Sequence, residues 1–369
     1  MSTADRLGRM VHQLRERELD WLLVGSLINV RYLTGFSGSH ALVLIGEAAG
    51  EGTPARQHRF LTDFRYDSQS AEQVGEAFQR EIVAGELFEA AARSLPQTGG
   101  RLGFDDAGVT VAQHARLRER LAPTWELIGC AGLVEGLRAV KDAEELARIR
   151  AATQLADEAL GSVLGDGVIG RTEVEVAIEL ELRMRRLGAE AASFPSIVAA
   201  GTHAALPHAA PRAVAIERDV LLTIDWGALH EGYCSDCTRT YATGEGISSA
   251  AAEVYDLVLR AQQAAVAAVR PGPSGRELDA VARSVIEEAG HGDHFGHGLG
   301  HGVGMEVHEA PRLSRTAAEQ PLPAGAVVTI EPGVYIPGEL GVRIEDLVAV
   351  GEAGSEVFTS LPKELTVIA

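Results

Sequence analysis

Two stretches of the chain each carry a pair of carboxylates at the ends of apolar, strand-like runs. In "DVLLTIDWGALHEGYCSDCTRTYATG" (219–244), the run "LLTI" delivers Asp225, a turn signal follows at "ALHEG", and the return run delivers Asp236. A hairpin centred near His230 or Glu231 sets Asp225 opposite Asp236. Residues directly opposed on one sheet face lie about 4.5–5.5 Å apart at Cβ. Carboxylates that close repel each other unless a cation lies between them or one is protonated. The segment "VVTIEPGVYIPGELGVRIEDLVAV" (327–350) repeats the plan, with Glu331 after one apolar run, a turn at "PGELG", and Glu345 on the return. A surface hairpin with incidental acids would not need a core-like run before its acids. Four gathered carboxylates suit hard divalent cations such as Mn²⁺, Mg²⁺ or Co²⁺, and can hold two ions about 3.5–4 Å apart.

Between the pairs lies "HGDHFGHGLGHGVGMEVHEAPRLS" (291–314), with His291, His294, His297, His301 and His308. A flexible His-rich tract is the bland alternative. Against it, "GVGMEVHE" has a strand pattern, with Met305, Val307 and Glu309 on one side and Glu306 and His308 on the other. One more histidine, His208, sits in the Gly/Pro-bounded loop "AAGTHAALPHAAP" (199–211). A soft-ligand motif competes for the first hairpin: Cys234 and Cys237 have the C-x-x-C spacing of a zinc or redox site. On a strand, residues three apart point to opposite faces, and no second C-x-x-C completes a zinc site. Three cysteines, the third being Cys130, are too few for a disulfide framework. The aspartate between the thiols carries the chemistry.

These residues need a frame to hold them. The chain has 369 residues, 46% hydrophobic and 23% charged, which suits two domains at about 100–200 residues each. A formal charge of -19 disfavours nucleic acid and favours divalent metals or substrates with a free amine. Of 33 basic residues only Lys141 and Lys363 are lysines. No apolar run reaches the ~18 residues of a membrane span. The charged, amphipathic N-terminus lacks a cleavable apolar core, so a cytoplasmic protein is expected.

The first part reads as alternating α and β. A helix is expected over 5–18, strands over 20–26, 40–46 and 58–64, and helices over 68–79, 85–94 and 110–121. The turn "EAAGEGTPARQ" separates the last two strands. Asp142 with Glu145 forms a capping box for a long helix. The expected domains are therefore 1–133 and 134–369. In the second, helices over 172–187, 249–270 and 276–290 alternate with β-rich segments at 194–200, 219–227 and 232–242, giving an α+β fold.

This pattern resembles the pita-bread metallopeptidases, the family of methionine aminopeptidase, aminopeptidase P and prolidase. The resemblance rests on "ASFPSIVAAGTHAALPHAAP", "TIDWGALHEGYCSDCTRT", "GHGLGHGVGMEVHE", "TIEPGVYIP" and "LGVRIED". It extends to "NVRYLTGFSGSHALVLI" and "FLTDFRYDSQS", which look like the creatinase-type α/β domain preceding the catalytic domain in aminopeptidase P and prolidase. It implies two divalent metal ions per subunit on Asp225, Asp236, His301, Glu331 and Glu345, with Asp236 and Glu345 bridging. It further implies that His208, His297 and His308 line the substrate site, that Glu331 handles a proton, and that Arg343 steadies a bridging carboxylate.

Manganese is the ion expected, with cobalt or zinc as alternatives. The activity implied is hydrolysis of the Xaa-Pro bond at peptide N-termini, as in the short bacterial aminopeptidase P type, by a homodimer. Prolidase, which acts on Xaa-Pro dipeptides, is the alternative. Methionine aminopeptidase lacks an N-terminal domain of this size. Relatives without peptidase activity have lost ligands that this chain keeps.

Overall fold

The computed structural model describes residues 2–46 and 58–368; the turn read at 47–57 lies outside the described residues. The chain divides into two compact units, Met1–Arg138 and Ala139–Ala369.

In the first unit, α1 (Thr3–Glu16) starts at a Ser2–Asp5 capping box and buries Leu7, Met10 and Leu14, one face of a 3.6-residue period. There follow β1 (Trp21–Val24), α2 (Leu27–Thr34), β2 (Ala41–Gly46), β3 (His58–Thr62), α3 (Asp67–Gln73) and β4 (Phe78–Ile82). Next come α4 (Leu87–Ser94), β5 (Gly100–Phe104), α5 (Val111–Arg120), β6 (Trp125–Gly129) and α6 (Leu133–Arg138). The strands form one mixed sheet, β4-β3-β2-β1-β5-β6. The unbroken runs "WLLV" and "ALVLIG" are buried along their whole length, as central strands covered on both faces require.

One expectation changes here. The helix read over 68–79 stops at Gln73, because Val74 turns extended and Gly75 follows. Residues 78–82 then pair in parallel with β3. The short α2, β5 and β6 had no clear pattern of their own.

The second unit opens on α7 (Ala143–Gly165), capped by Asp142 and Glu145 as the sequence indicated. Then come α8 (Glu173–Arg186), β7 (Ala191–Ala192), β8 (Ile197–Ala200), β9 (Leu221–Trp226), β10 (Ala228–His230), β11 (Tyr233–Cys234) and β12 (Cys237–Ala242). Helices α9 (Ser249–Ala268) and α10 (Gly275–Glu288) precede β13 (Gly300–Gly302) and β14 (Glu309–Leu313). The unit ends with β15 (Val327–Ile330), β16 (Gly333–Ile336), β17 (Leu340–Arg343), β18 (Asp346–Val350) and β19 (Ser355–Val357). Helices α7 and α8 cover β8, β9 and β12, while α9 and α10 cover β14, β15 and β18.

Two long ribbons shape this unit, and each changes sheets part-way. The first turns at Glu231 and Gly232, whose φ values of 48 and 80 fit a two-residue turn of the primed type. Its register pairs Leu229 with Cys234, Trp226 with Cys237 and Asp225 with Thr238. The expected Asp225–Asp236 pairing is therefore corrected by two residues, since the turn is centred between Glu231 and Gly232. Asp236 becomes the diagonal neighbour of Asp225 on the same face, still within reach.

The second ribbon pairs Ile330 with Asp346 in the five-stranded sheet and Gly333 with Arg343 in a separate two-stranded one. By that register Glu331 faces Glu345 where the ribbon passes between sheets. Of the four breaks, at residues 227, 235–236, 331–332 and 344–345, all but the one at Gly227 carry acids. The strand expected through "GVGMEVHE" does not form. Residues 304–308 are a series of bends, closed by a Gly304 N–H to Glu306 carbonyl hydrogen bond, and β14 begins only at Glu309.

Candidate metal centre

The breaks in the two ribbons deliver their side chains to one place. Carboxylate oxygens of Asp225, Asp236 and Glu345 lie within 4.8 Å of one another. His301 Nε2, from β13, is 3.2 Å from Glu331 Oε1 and 3.6 Å from Asp236 Oδ2. The five residues expected to act as ligands thus converge. Two threonines to which the sequence reading gave no role orient the acids. Thr238 Oγ1 donates to Glu345 Oε2 at 2.7 Å, and Thr329 Oγ1 donates to Glu331 Oε1 at 3.0 Å.

The electrostatics of this cluster are one-sided. Burial pushes Asp236 and Glu345 well above the ordinary carboxylate range, and the neighbouring acids add to it. Asp225 is raised by burial too, against the opposing charge of Arg343. For Glu331, burial acts upward, but the hydrogen bond and charge of His301 prevail and hold it at about 2. Burial lowers His301, and Glu331 more than reverses this.

Three observations test the fit of divalent metal to these residues. Asp225 Oδ1 and Glu345 Oε1 are buried without a hydrogen-bond partner, a cost of about 1–3 kcal/mol each that a cation would remove. His301 places Nδ1 against the Gly302 carbonyl at 3.1 Å, the usual way a ligating histidine frees its other nitrogen. The donor set is four carboxylates and one imidazole, which suits hard, oxygen-seeking ions. The residues fit.

Around the centre lies a cavity of about 510 Å³. Its wall includes Phe194, Pro195, Ile197, Pro207 and Val307, and all three expected histidines, His208, His297 and His308, line it. His208 and His308 are both exposed, and the His308 ring centre lies 4.1 Å from that of His301. His297 directs Nδ1 to the Gly298 carbonyl at 2.8 Å and meets the Tyr335 hydroxyl through Nε2 at 3.0 Å. Burial lowers both His297 and His308.

Arg343 is the hub of this wall. It donates to Asp225 Oδ2 at 2.6 Å, Thr238 Oγ1 at 2.9 Å, Tyr335 Oη at 2.9 Å and the Pro207 carbonyl at 3.1 Å. Its direct carboxylate partner is Asp225, and its link to Glu345 runs through Thr238. Tyr335 was missed as a candidate, although it stands within the quoted "TIEPGVYIP". Its signal was the cross-strand pairing of β16 with β17, which sets it near Arg343. The two hairpin thiols pack in different cores, Cys237 with α7 and α8 and Cys234 beside Val303 and Val327.

Residues 147–352 match metallopeptidase family M24, and residues 6–140 match the creatinase/prolidase N-terminal domain. The chain belongs to family M24. This M24 peptidase is 42% identical over 366 residues to an uncharacterized peptidase of Bacillus subtilis, covering 98% of this chain and 100% of the relative. Among solved structures, an Xaa-Pro dipeptidase from Bacillus anthracis superposes with a TM-score of 0.92 at 38% identity, covering 99% of this chain and 100% of that one. An X-Pro aminopeptidase from Thermotoga maritima superposes with a TM-score of 0.85 at 34% identity, covering 95% and 99%. The fold is thus α+β, a creatinase-type N-terminal domain followed by a pita-bread domain, and the protein is a metallopeptidase. Among the described residues no helix is long and apolar enough to cross a membrane.

Proposed function

We propose that this M24 peptidase hydrolyses the bond between an N-terminal residue and a following proline. The observation that carries the reading is a buried, undercompensated carboxylate cluster at the base of an apolar-walled cavity. Asp225, Asp236, His301, Glu331 and Glu345 would hold two divalent ions, manganese by the oxygen-rich donor set, with cobalt or zinc as alternatives. Bound there, such ions polarise the scissile carbonyl and acidify water near neutral pH.

The protein's own residues do the rest. Glu331, ionised near neutral pH, is placed to take up a proton and pass it to the departing nitrogen. His308 and His208 donate hydrogen bonds where negative charge develops on the carbonyl oxygen. His297, with Nδ1–H spent on the Gly298 carbonyl, keeps a fixed tautomer. A prolyl nitrogen has no N–H to offer, so its ring is held by shape. Phe194, Pro195, Ile197 and Val307 supply an apolar wall for it. Two similar structures bear Xaa-Pro names, which supports the proline preference.

For length preference, we place cleavage at the N-terminus of longer peptides first. A specific observation favours the dipeptidase reading as well: Arg312 stands directly opposite His301 across β13 and β14 and is exposed. A free guanidinium there can hold the carboxylate of a dipeptide. The test is a Mn²⁺-supplemented series of Ala-Pro, Arg-Pro-Pro and Ala-Ala. Release of arginine from the tripeptide selects the aminopeptidase, and cleavage of Ala-Pro alone selects the dipeptidase. Cleavage of Ala-Ala as fast as Ala-Pro removes the proline specificity.

A further inference from the structure

One loop supplies a quarter of the cavity lining, and a single buried carboxylate outside the metal cluster closes it. The loop runs from Ala200, at the end of β8, to Arg212, and residues 207–211 face the cavity. His208 is exposed on that wall, so its place is set by the backbone of the loop rather than by packing. Glu173, the first residue of α8, is 1% exposed and reaches both ends of this loop. Its Oε1 accepts the Ala200 N–H at 3.0 Å, and its Oε2 accepts the Arg212 N–H at 2.9 Å. The Arg212 guanidinium adds contacts at 3.1 and 3.2 Å, and His203 Nδ1, from inside the loop, lies 2.9 Å from Oε2.

The helix start reinforces this closure. The Glu173 and Val174 N–H groups, two of the unpaired donors of the first turn, reach the Val214 and Arg212 carbonyls at 3.2 Å each. The loop in turn rests on the site. A Cβ on Gly341 would stand 1.8 Å from the Ala204 carbonyl oxygen, so only glycine lets β17 lie this close. The Pro207 carbonyl accepts from Arg343, which also binds Asp225.

We propose that Glu173 is a positioning residue: by joining both ends of the 200–212 loop it sets His208 and the Pro207–Pro211 wall against the metal centre. Its kinetic consequence rests on the Xaa-Pro reading above, whereas its structural consequence does not. Glu173→Gln keeps the shape but removes the charge and one of the two acceptors.

The test uses the metal-loaded full chain and two readouts. In Glu173→Gln, amides within 200–212 are expected to exchange with solvent about 10-fold faster or more, while 221–226 and 327–330 keep their rates. Unchanged exchange in 200–212 overturns the proposal, whatever the enzyme cleaves. On the best substrate of the peptide series, Glu173→Gln is expected to lower kcat/KM by about 10–10²-fold, with metal stoichiometry retained. In a His208→Ala background the same substitution is expected to cost less than in the wild type, because part of its effect passes through His208. Additive losses overturn the proposal. Should Glu173→Gln fail to fold, Arg212→Leu removes only the guanidinium contacts and carries the same two readouts. If the wild type leaves every proline peptide intact, the functional reading fails while the exchange experiment still judges Glu173.

Discussion

Glu345 and Asp346 are consecutive, and they are 1% and 0% exposed. Their surroundings have opposite logic. Asp346 turns toward the α9 side, where Oδ1 accepts from Arg239 at 2.9 Å and Thr359 at 2.7 Å, and Oδ2 from Gln262 at 2.8 Å and Lys363 at 2.5 Å. Burial pushes its pKa up, but Arg239 and Lys363 prevail and hold it below the ordinary value. Glu345 turns toward three other acids, has one hydrogen bond, from Thr238, and leaves Oε1 unpartnered. Burial and repulsion push it well above its ordinary value. Burial alone therefore does not distinguish a structural acid from a functional one. Compensation does. On the proposed reading, a fold that neutralises one carboxylate on four sides and leaves its neighbour short keeps that neighbour for a cation.

The largest effect that would break this contrast is on activity. Asp236→Asn is expected to abolish turnover with little loss of fold, since the β9–β12 ribbon remains. Unchanged turnover, with circular dichroism as the control, would refute the ligand role of Asp236. Next comes stability. Asp346→Asn leaves Arg239 and Lys363 short of a buried counter-charge and is expected to cost about 3–5 kcal/mol in denaturant unfolding.

Glu345→Gln is expected to do the reverse in chelator-treated protein, stabilising it by about 1 kcal/mol through removal of an uncompensated charge. The pH dependence carries opposite signs. Asp346, lowered, adds stability that is present above its unfolded value and lost as pH falls through its folded one. Glu345 and Asp236, raised, bind protons more tightly when folded, so metal-free protein loses stability as pH rises from about 4 through their raised values. Equal slopes in wild type and Glu345→Gln would erase the contrast.

Much of this was legible in the sequence, for a physical reason. Asp225, Asp236, Glu331 and Glu345 follow apolar runs that must be core strands, and the α7 capping box is local. What failed depended on a count or a contact. Placing the first turn at His230 or Glu231 rather than between Glu231 and Gly232 moved the partner of Asp225 from Thr238 to Asp236. The bends at 304–308 looked like a strand because alternation survives where glycines and a local hydrogen bond override it. Glu173, His203, Thr238, Thr329 and Tyr335 act across 2 to 107 residues of separation, and no periodicity announces such partners. The two lysines were noticed only as an oddity of composition. In the fold, both are partners of buried acids, Lys141 of Glu309 and Lys363 of Asp346.

The smallest effect sharpens the contrast within the site itself. Arg343 is the counterpart of Arg239, a buried guanidinium beside the acids. Arg239 joins Asp346 to the backbone carbonyls of Thr238, Glu345, Leu361 and Pro362, whereas Arg343 joins Asp225 to the Thr238 and Tyr335 hydroxyls and one carbonyl. Tyr335 ties it to His297 through a single hydroxyl. Tyr335→Phe keeps the ring and deletes that link, leaving Arg343 one acceptor short and the His297 Nε2 free. Stability is expected to fall by only about 1 kcal/mol, because Arg343 keeps its other acceptors. Activity is expected to fall more, about 10-fold in kcat/KM, as for loss of a residue that orients the groups around a metal centre. If the loss lies in KM alone, Tyr335 acts in substrate binding. If kcat falls while KM holds, the hydroxyl sets the geometry of Arg343 and His297 during the reaction. Full activity with lowered stability would place Tyr335 with Asp346, among the compensators of the fold.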